Sequence, residues 1–190
     1  MSITECIAIL KTSNIRLDHG LTSDEIREIE RRFGFEFNPD HRQLLEAAQP
    51  AGEGWLHWRN ASAERLQAAL DWPLEGLLFD VENNEFWPTT WGTKPASLSD
   101  QRQVATRRIK SWPTLVPLFG HRYMAAAPAP SGSPVFSVYQ SDVIVYGRDL
   151  LEYLQHELAP ADPDFHRNRP LDARTCPPWS LLASGLDVTD

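Results

Sequence analysis

The segment from residue 114 to residue 147 constrains the fold more than any other part of this sequence. It consists of short runs of β-forming residues separated by Gly and Pro, which is the pattern of an antiparallel meander. Within one run, the two-residue period of a strand directs Val135 and Ser137 to one face and Phe136 and Val138 to the other. The segment therefore predicts a series of consecutive antiparallel strands.

Capped helices precede and follow the predicted meander. The Thr-Ser-Asp-Glu sequence at residues 22–25 is a capping box, and Gly34 stands where a left-handed residue ends such a helix. Asn-Pro at residues 38–39 is typical of the start of a second helix, which we expect to run to Pro50. Further helices are predicted over residues 3–12, 62–70, 97–111 and 149–158.

Two segments lack a regular pattern. Residues 18–20 (Asp-His-Gly) are typical of a turn, and residues 71–96 are rich in Trp, Pro and Gly and predict an irregular, apolar loop. Together with the meander and the helices, this arrangement predicts an α+β fold with a mainly antiparallel β-sheet flanked by helices.

The length of 190 residues is sufficient for one self-supporting core. We expect residues 1–160 to form a single α+β domain and residues 161–190 to form a tail that packs on it. Trp179, Leu181 and Leu182 are the apolar side chains that would hold the tail in place.

Composition argues against several functional classes. Cys6 and Cys176 stand apart, with no His or Cys at zinc-ligand spacing, so we expect neither a metal nor a cofactor. The net charge of −8 is unfavourable for direct nucleic-acid binding. Because neither a secretion signal nor a membrane span is visible, we expect a cytoplasmic protein.

His121, Arg122 and Tyr123 form the first candidate site. The imidazole could exchange a proton near neutral pH, and the guanidinium could bind a carboxylate or a phosphate. Strand alternation directs Arg122 away from the other two side chains, which favours an internal role for it. In that alternative, an acid such as Asp142 or Asp80 would pair with Arg122.

The segment from residue 71 to residue 91 holds the second candidate site. Asp80, Glu82 and Glu85 could act as paired carboxylates, hold a metal, or simply face solvent. Trp87 and Trp91 flank these acids, and aromatic anchors next to charges are typical of protein-binding surfaces. We therefore expect this loop, with residues 121–123, to contribute to a partner-binding face.

Three stretches of the chain together resemble the SMI1/KNR4 family of the SUKH superfamily. The first covers residues 20–45, the second joins Leu-Phe-Asp-Val-Glu-Asn at 78–83 to Phe-Trp at 86–87 and Trp-Gly at 91–92, and the third covers the strands of residues 116–147. The last two are similar to a bacterial subgroup. The resemblance spans residues 20–158. In the subgroup the position of Tyr139 is often His, so this chain lacks a partner that a metal site based on His121 would need.

This resemblance implies an antiparallel α+β fold and a binding module rather than an enzyme. Bacterial members are associated with immunity against polymorphic toxins, many of them nucleases, and fungal relatives are regulatory scaffolds of cell-wall synthesis. We therefore expect an immunity or antitoxin-like protein that binds and neutralises a toxin partner. A regulatory scaffold of the same fold is the first alternative, and a hydrolase that uses His121 with the carboxylates of residues 80–85 is the second. The sequence carries no signal for an oligomeric state.

Overall fold

The computed structural model describes residues 2–158 and 176–188 of the chain. Within these ranges the helices are α1 (Ile3–Thr12), α2 (Ser23–Phe33), α3 (Pro39–Ala47), α4 (Ala63–Asn83), α5 (Leu98–Ile109), α6 (Leu150–Leu158) and α7 (Trp179–Ala183), with a 3₁₀ turn at Thr89–Trp91. The strands are β1 (Arg16–His19), β2 (Ala48–Ala51), β3 (Leu115–Phe119), β4 (Arg122–Ala125), β5 (Val135–Tyr139) and β6 (Asp142–Gly147). The predicted α+β class is confirmed.

The meander predicted from residues 114–147 is the main sheet. Strands β3 to β6 pair in chain order, and every pairing is antiparallel. The predicted alternation is confirmed as well, since Phe136 and Val138 pack with α4 and α5 while Val135 packs with α1 and α6 on the opposite face. The sheet is thus covered by helices on both faces.

A second, two-stranded sheet was not predicted. Asp18 and His19 belong to β1, which pairs with β2 rather than forming a turn. The predicted extension of α3 to Pro50 is wrong for the same reason, because α3 ends at Ala47 and Pro50 lies opposite Leu17 in the sheet. The two strands are far apart in sequence, so no local pattern indicates their pairing.

The predicted helix caps are confirmed. The Thr22 hydroxyl accepts from the Glu25 amide while the Glu25 carboxylate accepts from the Thr22 amide, and Gly34 ends α2 with a φ of 73°. The side chain of Asn38 accepts from the Asp40 amide at 2.9 Å at the start of α3. These caps mark both ends of α2 and the start of α3.

Helix α4 is the largest departure from the sequence prediction. It continues for 21 residues through Pro73, so residues 71–83 are helical rather than a loop. Pro73 has no amide hydrogen for the carbonyl of Ala69 one turn earlier. The hydroxyl of Tyr123 donates to that carbonyl at 3.0 Å, so a side chain from the sheet replaces the missing helical hydrogen bond.

The final described segment packs on the main body. Trp179 is buried, and its indole nitrogen donates to the carbonyl of Pro113 at 2.8 Å. Of the predicted tail, residues 161–175 and 189–190 lie outside the described residues, so the division at residue 160 stays a prediction. Across the described ranges, no helix has both the length and the apolar character needed to span a bilayer.

Candidate protein-interaction surface

The two tryptophans predicted to meet a partner belong to a buried stack. Trp91 is only 5% exposed, and its ring centroid lies 5.3 Å from that of Trp87 and 6.2 Å from that of Trp112. Trp112 in turn lies 5.0 Å from Trp179. These four rings, which we call the tryptophan stack, join the 3₁₀ turn to the C-terminal segment. The prediction that Trp91 faces a partner is therefore wrong for the described structure, because its ring is used inside the core.

Trp87 lies at the outer end of the stack. Its ring is partly buried, and its indole nitrogen donates to the carbonyl of Gly92 at 2.8 Å. This hydrogen bond closes the loop that follows α4. The role of Trp87 is thus mainly to hold the backbone of that loop.

Asp80 does not lie on the surface. It is 3% exposed, and one carboxylate oxygen accepts from the backbone amide of Ser141 at 2.7 Å and from the Ser141 hydroxyl. The other oxygen accepts from the Asn84 side chain at 2.5 Å. A buried carboxylate is stable only with such partners. Asp80 therefore fastens α4 to the turn between β5 and β6, which differs from the prediction that its carboxylate contributes to a partner-binding face.

The other two predicted acids have different environments. The carboxylate of Glu82 lies 2.8 Å from Arg102, which also contacts Glu75 at 2.9 Å. Glu85 is exposed in the turn that follows α4, where its φ is 59°. The three acids thus do not converge on one point as paired catalytic carboxylates would need to do.

Arg122 has the internal role that the sequence offered as an alternative, with a different partner. Its Nε lies 3.1 Å from the carboxylate of Glu157 on α6, and one terminal nitrogen donates to the Ser137 hydroxyl at 3.0 Å. The guanidinium carbon lies 3.7 Å from the centre of the Tyr146 ring. Neither Asp142 nor Asp80 is the acid that pairs with it.

His121 and Tyr123 point into different environments. His121 is exposed in the turn between β3 and β4, where partial burial and the neighbouring Arg122 lower its pKa. Tyr123 is buried against α4, and burial raises its pKa. The three neighbours therefore do not form one site. Within the part of the chain that the structure describes, no group of three or more His, Cys, Asp or Glu side chains could hold a metal ion.

A different set of aromatic side chains is exposed. Trp72 and Phe79 on α4 are each 47% exposed, and Tyr139 at the end of β5 is 57% exposed. The rings of Trp72 and Tyr139 lie 6.3 Å apart, and Phe79 follows Trp72 by seven residues, which places it on the same helix face. We call these three side chains the aromatic surface.

The aromatic surface rests on a rigid junction between α4 and the β5–β6 turn. Gly76 lets the backbones approach closely, since a Cβ atom there would lie 3.1 Å from the Cα of Gln140. The indole nitrogen of Trp72 donates to the carbonyl of Val138 at 3.4 Å, and Asp80, about two turns further along α4, accepts from the amide of Ser141. The exposed rings are therefore presented on a fixed frame.

Acidic side chains lie beside the exposed rings. Three of these acids, Asp71, Glu75 and Glu82, have the spacing that places their side chains along one edge of α4. The fourth, Asp142, stands opposite Tyr139 in the β5–β6 hairpin. We call this set the acidic rim; it comprises Asp71, Glu75, Glu82 and Asp142. Arg102 neutralises part of it, because a single guanidinium bridges Glu75 and Glu82.

The sequence contains a signal for this surface that the loop interpretation of residues 71–96 concealed. Trp72 and Phe79 have the seven-residue spacing of one helix face, but this spacing has meaning only if the helix continues through Pro73. The hydrogen bond that replaces the one lost at Pro73 is donated by Tyr123, from a strand fifty residues later.

Comparison with known proteins gives no match, since no family model, no curated protein and no solved structure is similar to this chain. The resemblance to SMI1/KNR4 proteins stays a prediction.

Proposed function

We propose that this protein is a non-enzymatic protein-binding module and that the aromatic surface is its contact face. The observation that carries the proposal is the grouping of three half-exposed large aromatic rings on one rigid junction. Exposed apolar side chains are costly in water when they are grouped, and Trp and Tyr are the residues that most often anchor protein interfaces.

The charge around the rings indicates the chemistry of the partner. The acidic rim favours a surface with an apolar centre and basic surroundings, because opposite charges steer association and select among partners. Whole-chain charge acts in the same direction, since the net charge is −8. A basic protein is thus the expected partner.

An immunity protein would be one form of this function. The active site of a nuclease is basic because it binds phosphates, and an acidic rim around aromatic anchors is suited to cover such a site. A regulatory scaffold of the same fold would use the same surface on another basic partner. A toxin gene next to the gene for this chain would favour the first form.

A hydrolase that uses His121 with the carboxylates of residues 80–85 is less supported. Asp80 is buried and its oxygens accept from Ser141 and Asn84, while Glu82 is paired with Arg102. An acid–base pair needs carboxylates that can reach a substrate.

The test compares capture of partners from the native host by the wild-type chain and by two variants. The first variant carries Trp72→Ala, Phe79→Ala and Tyr139→Ala. The second carries Leu98→Ala, which removes an exposed apolar side chain at the start of α5 and serves as the matched control. Captured proteins are quantified by mass spectrometry.

We expect one partner to be retained by the wild-type chain and by the control and lost by the triple variant. Each anchor should contribute about 2 kcal/mol to binding, a factor of roughly 30. Equal capture by all three proteins, with the triple variant folded by circular dichroism, would place the contact face elsewhere.

A further inference from the structure

A cleft near the N-terminal helix shares no lining residue with the aromatic surface. It has a volume of about 520 Å³ and lies between α1, β1, the end of α3 and the loop of residues 57–60. Sites for small molecules in proteins typically have volumes of roughly 300–1,000 Å³. The cleft is therefore large enough for a metabolite-sized ligand. Its apolar side includes Ile7 and Leu17, and its polar side includes Lys11, His19, His57 and Asn60.

The polar side is held by a fixed hydrogen-bond network. The Nδ1 atom of His57 accepts from the backbone amide of Asn60 at 3.2 Å, so the proton of the neutral ring is on Nε2. That Nε2 donates to the Asp18 carboxylate at 3.0 Å. Both ring nitrogens are thus used within the protein, which makes His57 a wall of the cleft rather than a free base.

Among the described residues, Asp18 is the single carboxylate that lines the cleft, and it is already paired. Asp18 accepts from His57, and the Nε of Arg16 lies 3.6 Å from its other oxygen. The hydrogen bond from His57, together with Arg16, lowers the pKa of Asp18, so the group is ionised and its charge is offset locally. Arg59 lies in the wall as well, with its guanidinium bound to Glu25.

Two further donors at the cleft have no such partner. Among the residues that the structure describes, the ammonium of Lys11 forms no ion pair and the ring of His19 forms no hydrogen bond, and both side chains are exposed. Within the described part of the chain, the carboxylate of Asp18 is paired, whereas the ammonium of Lys11 and the imidazole of His19 are not. The cleft therefore favours a negatively charged ligand, although the chain as a whole carries a net charge of −8.

We propose that this cleft binds a small organic anion. The oxygens of its carboxylate or phosphate group contact Lys11, His19 and the side chain of Asn60, and its apolar part packs on Ile7 and Leu17. The two head groups share the chemistry that the cleft recognises, since both accept hydrogen bonds from ammonium, imidazole and amide donors. This binding site is independent of the aromatic surface.

The test is a titration of the isotope-labelled chain followed by nuclear magnetic resonance. The probes are phenyl phosphate and benzoate, which share an apolar ring and differ in the head group, with sodium chloride at matched ionic strength as the blank. Lys11→Gln removes the ammonium charge, and His19→Gln removes the imidazole ring. Lys110→Gln is the matched control, because it removes one exposed charge at the end of α5 and does not line the cleft.

We expect saturable shifts of the amide signals of Gly20, Asn60 and their neighbours with one or both probes at millimolar concentration. Binding should weaken about tenfold in Lys11→Gln, as expected for the loss of a hydrogen bond to a charged group, and stay unchanged in Lys110→Gln. The probe that binds more tightly identifies the preferred head group. Absence of saturable shifts with both probes, or equal weakening in the Lys110→Gln control, would overturn the proposal.

Discussion

The tryptophan stack and the aromatic surface use the same kind of side chain for opposite purposes. In the stack, Trp91 is 5% exposed and contacts the ring of Trp87 on one side and that of Trp112, from beyond α5, on the other. On the aromatic surface, Trp72 is 47% exposed and rests on Tyr139 alone among the aromatic rings of the described residues. The difference arises from what covers each ring. The C-terminal segment with Trp179 closes over the stack, and no described segment closes over Trp72.

This comparison shows why aromatic content near acidic residues is a poor guide to a binding face. Asp80, an acid that precedes Trp87 and Trp91 in the sequence, is itself structural, because its buried carboxylate accepts hydrogen bonds from Ser141. A side chain that is committed to the core cannot also anchor a partner. Exposure on a rigid frame is the property that separates the two groups.

The largest expected loss of stability comes from a substitution that disrupts the tryptophan stack. Trp91→Ala should lower the free energy of unfolding by about 3–5 kcal/mol, because a buried ring and its packing are lost. Trp72→Ala should lower it by no more than about 1 kcal/mol, because much of this ring already faces water. Urea unfolding monitored by far-ultraviolet circular dichroism measures both. Similar losses in the two variants would remove the distinction between stack and surface.

Local sequence patterns predicted the parts of the fold that depend on residues close together in the chain. The meander and the caps at Thr22 and Asn38 are encoded within a few residues, and they are confirmed. In contrast, the hydroxyl of Tyr123 supplies the hydrogen bond that α4 lacks at Pro73, and the ring of Trp112 packs against the buried Trp91. Such partners are distant in sequence, so a single sequence gives no direct signal for them.

A buried histidine, His41, should make the stability of the protein depend on pH. His41 is enclosed between the rings of Phe37 and Trp58, and burial lowers its pKa from 6.5 to about 3. The unfolded chain therefore takes up the proton first as pH falls, so the stability contributed by neutral His41 is complete above pH 6.5 and is lost as pH falls towards 3. Between pH 7 and pH 5 the expected loss is about 2 kcal/mol.

Urea unfolding at a series of pH values measures this loss. The window above pH 5 avoids Glu25, whose pKa is lowered from 4.5 to about 2 by Arg59 and whose contribution changes only at lower pH. The lowered pKa of His121 acts in the same direction as that of His41. His41→Leu should remove most of the pH dependence. A full pH dependence in His41→Leu would assign the effect to another group.

The smallest expected effect on stability comes from removing a tyrosine hydroxyl, and it compares buried Tyr123 with exposed Tyr139. Tyr123→Phe keeps the ring but removes the hydroxyl that donates to the carbonyl of Ala69. That carbonyl then has no donor, because Pro73 lacks an amide hydrogen. A fully buried acceptor without a partner costs about 1–3 kcal/mol, and Ala69 is only partly buried, so Tyr123→Phe should destabilise the chain by about 1 kcal/mol. Tyr139→Phe is the matched control, because its side chain is 57% exposed and the change should be nearly neutral. Hydrogen exchange at the amides of α4 adds a local readout, since loss of the Tyr123 hydroxyl should raise exchange around Pro73 more than in β6. If Tyr123→Phe is as stable as Tyr139→Phe and exchange in α4 is unchanged, the helix tolerates Pro73 without help from the sheet.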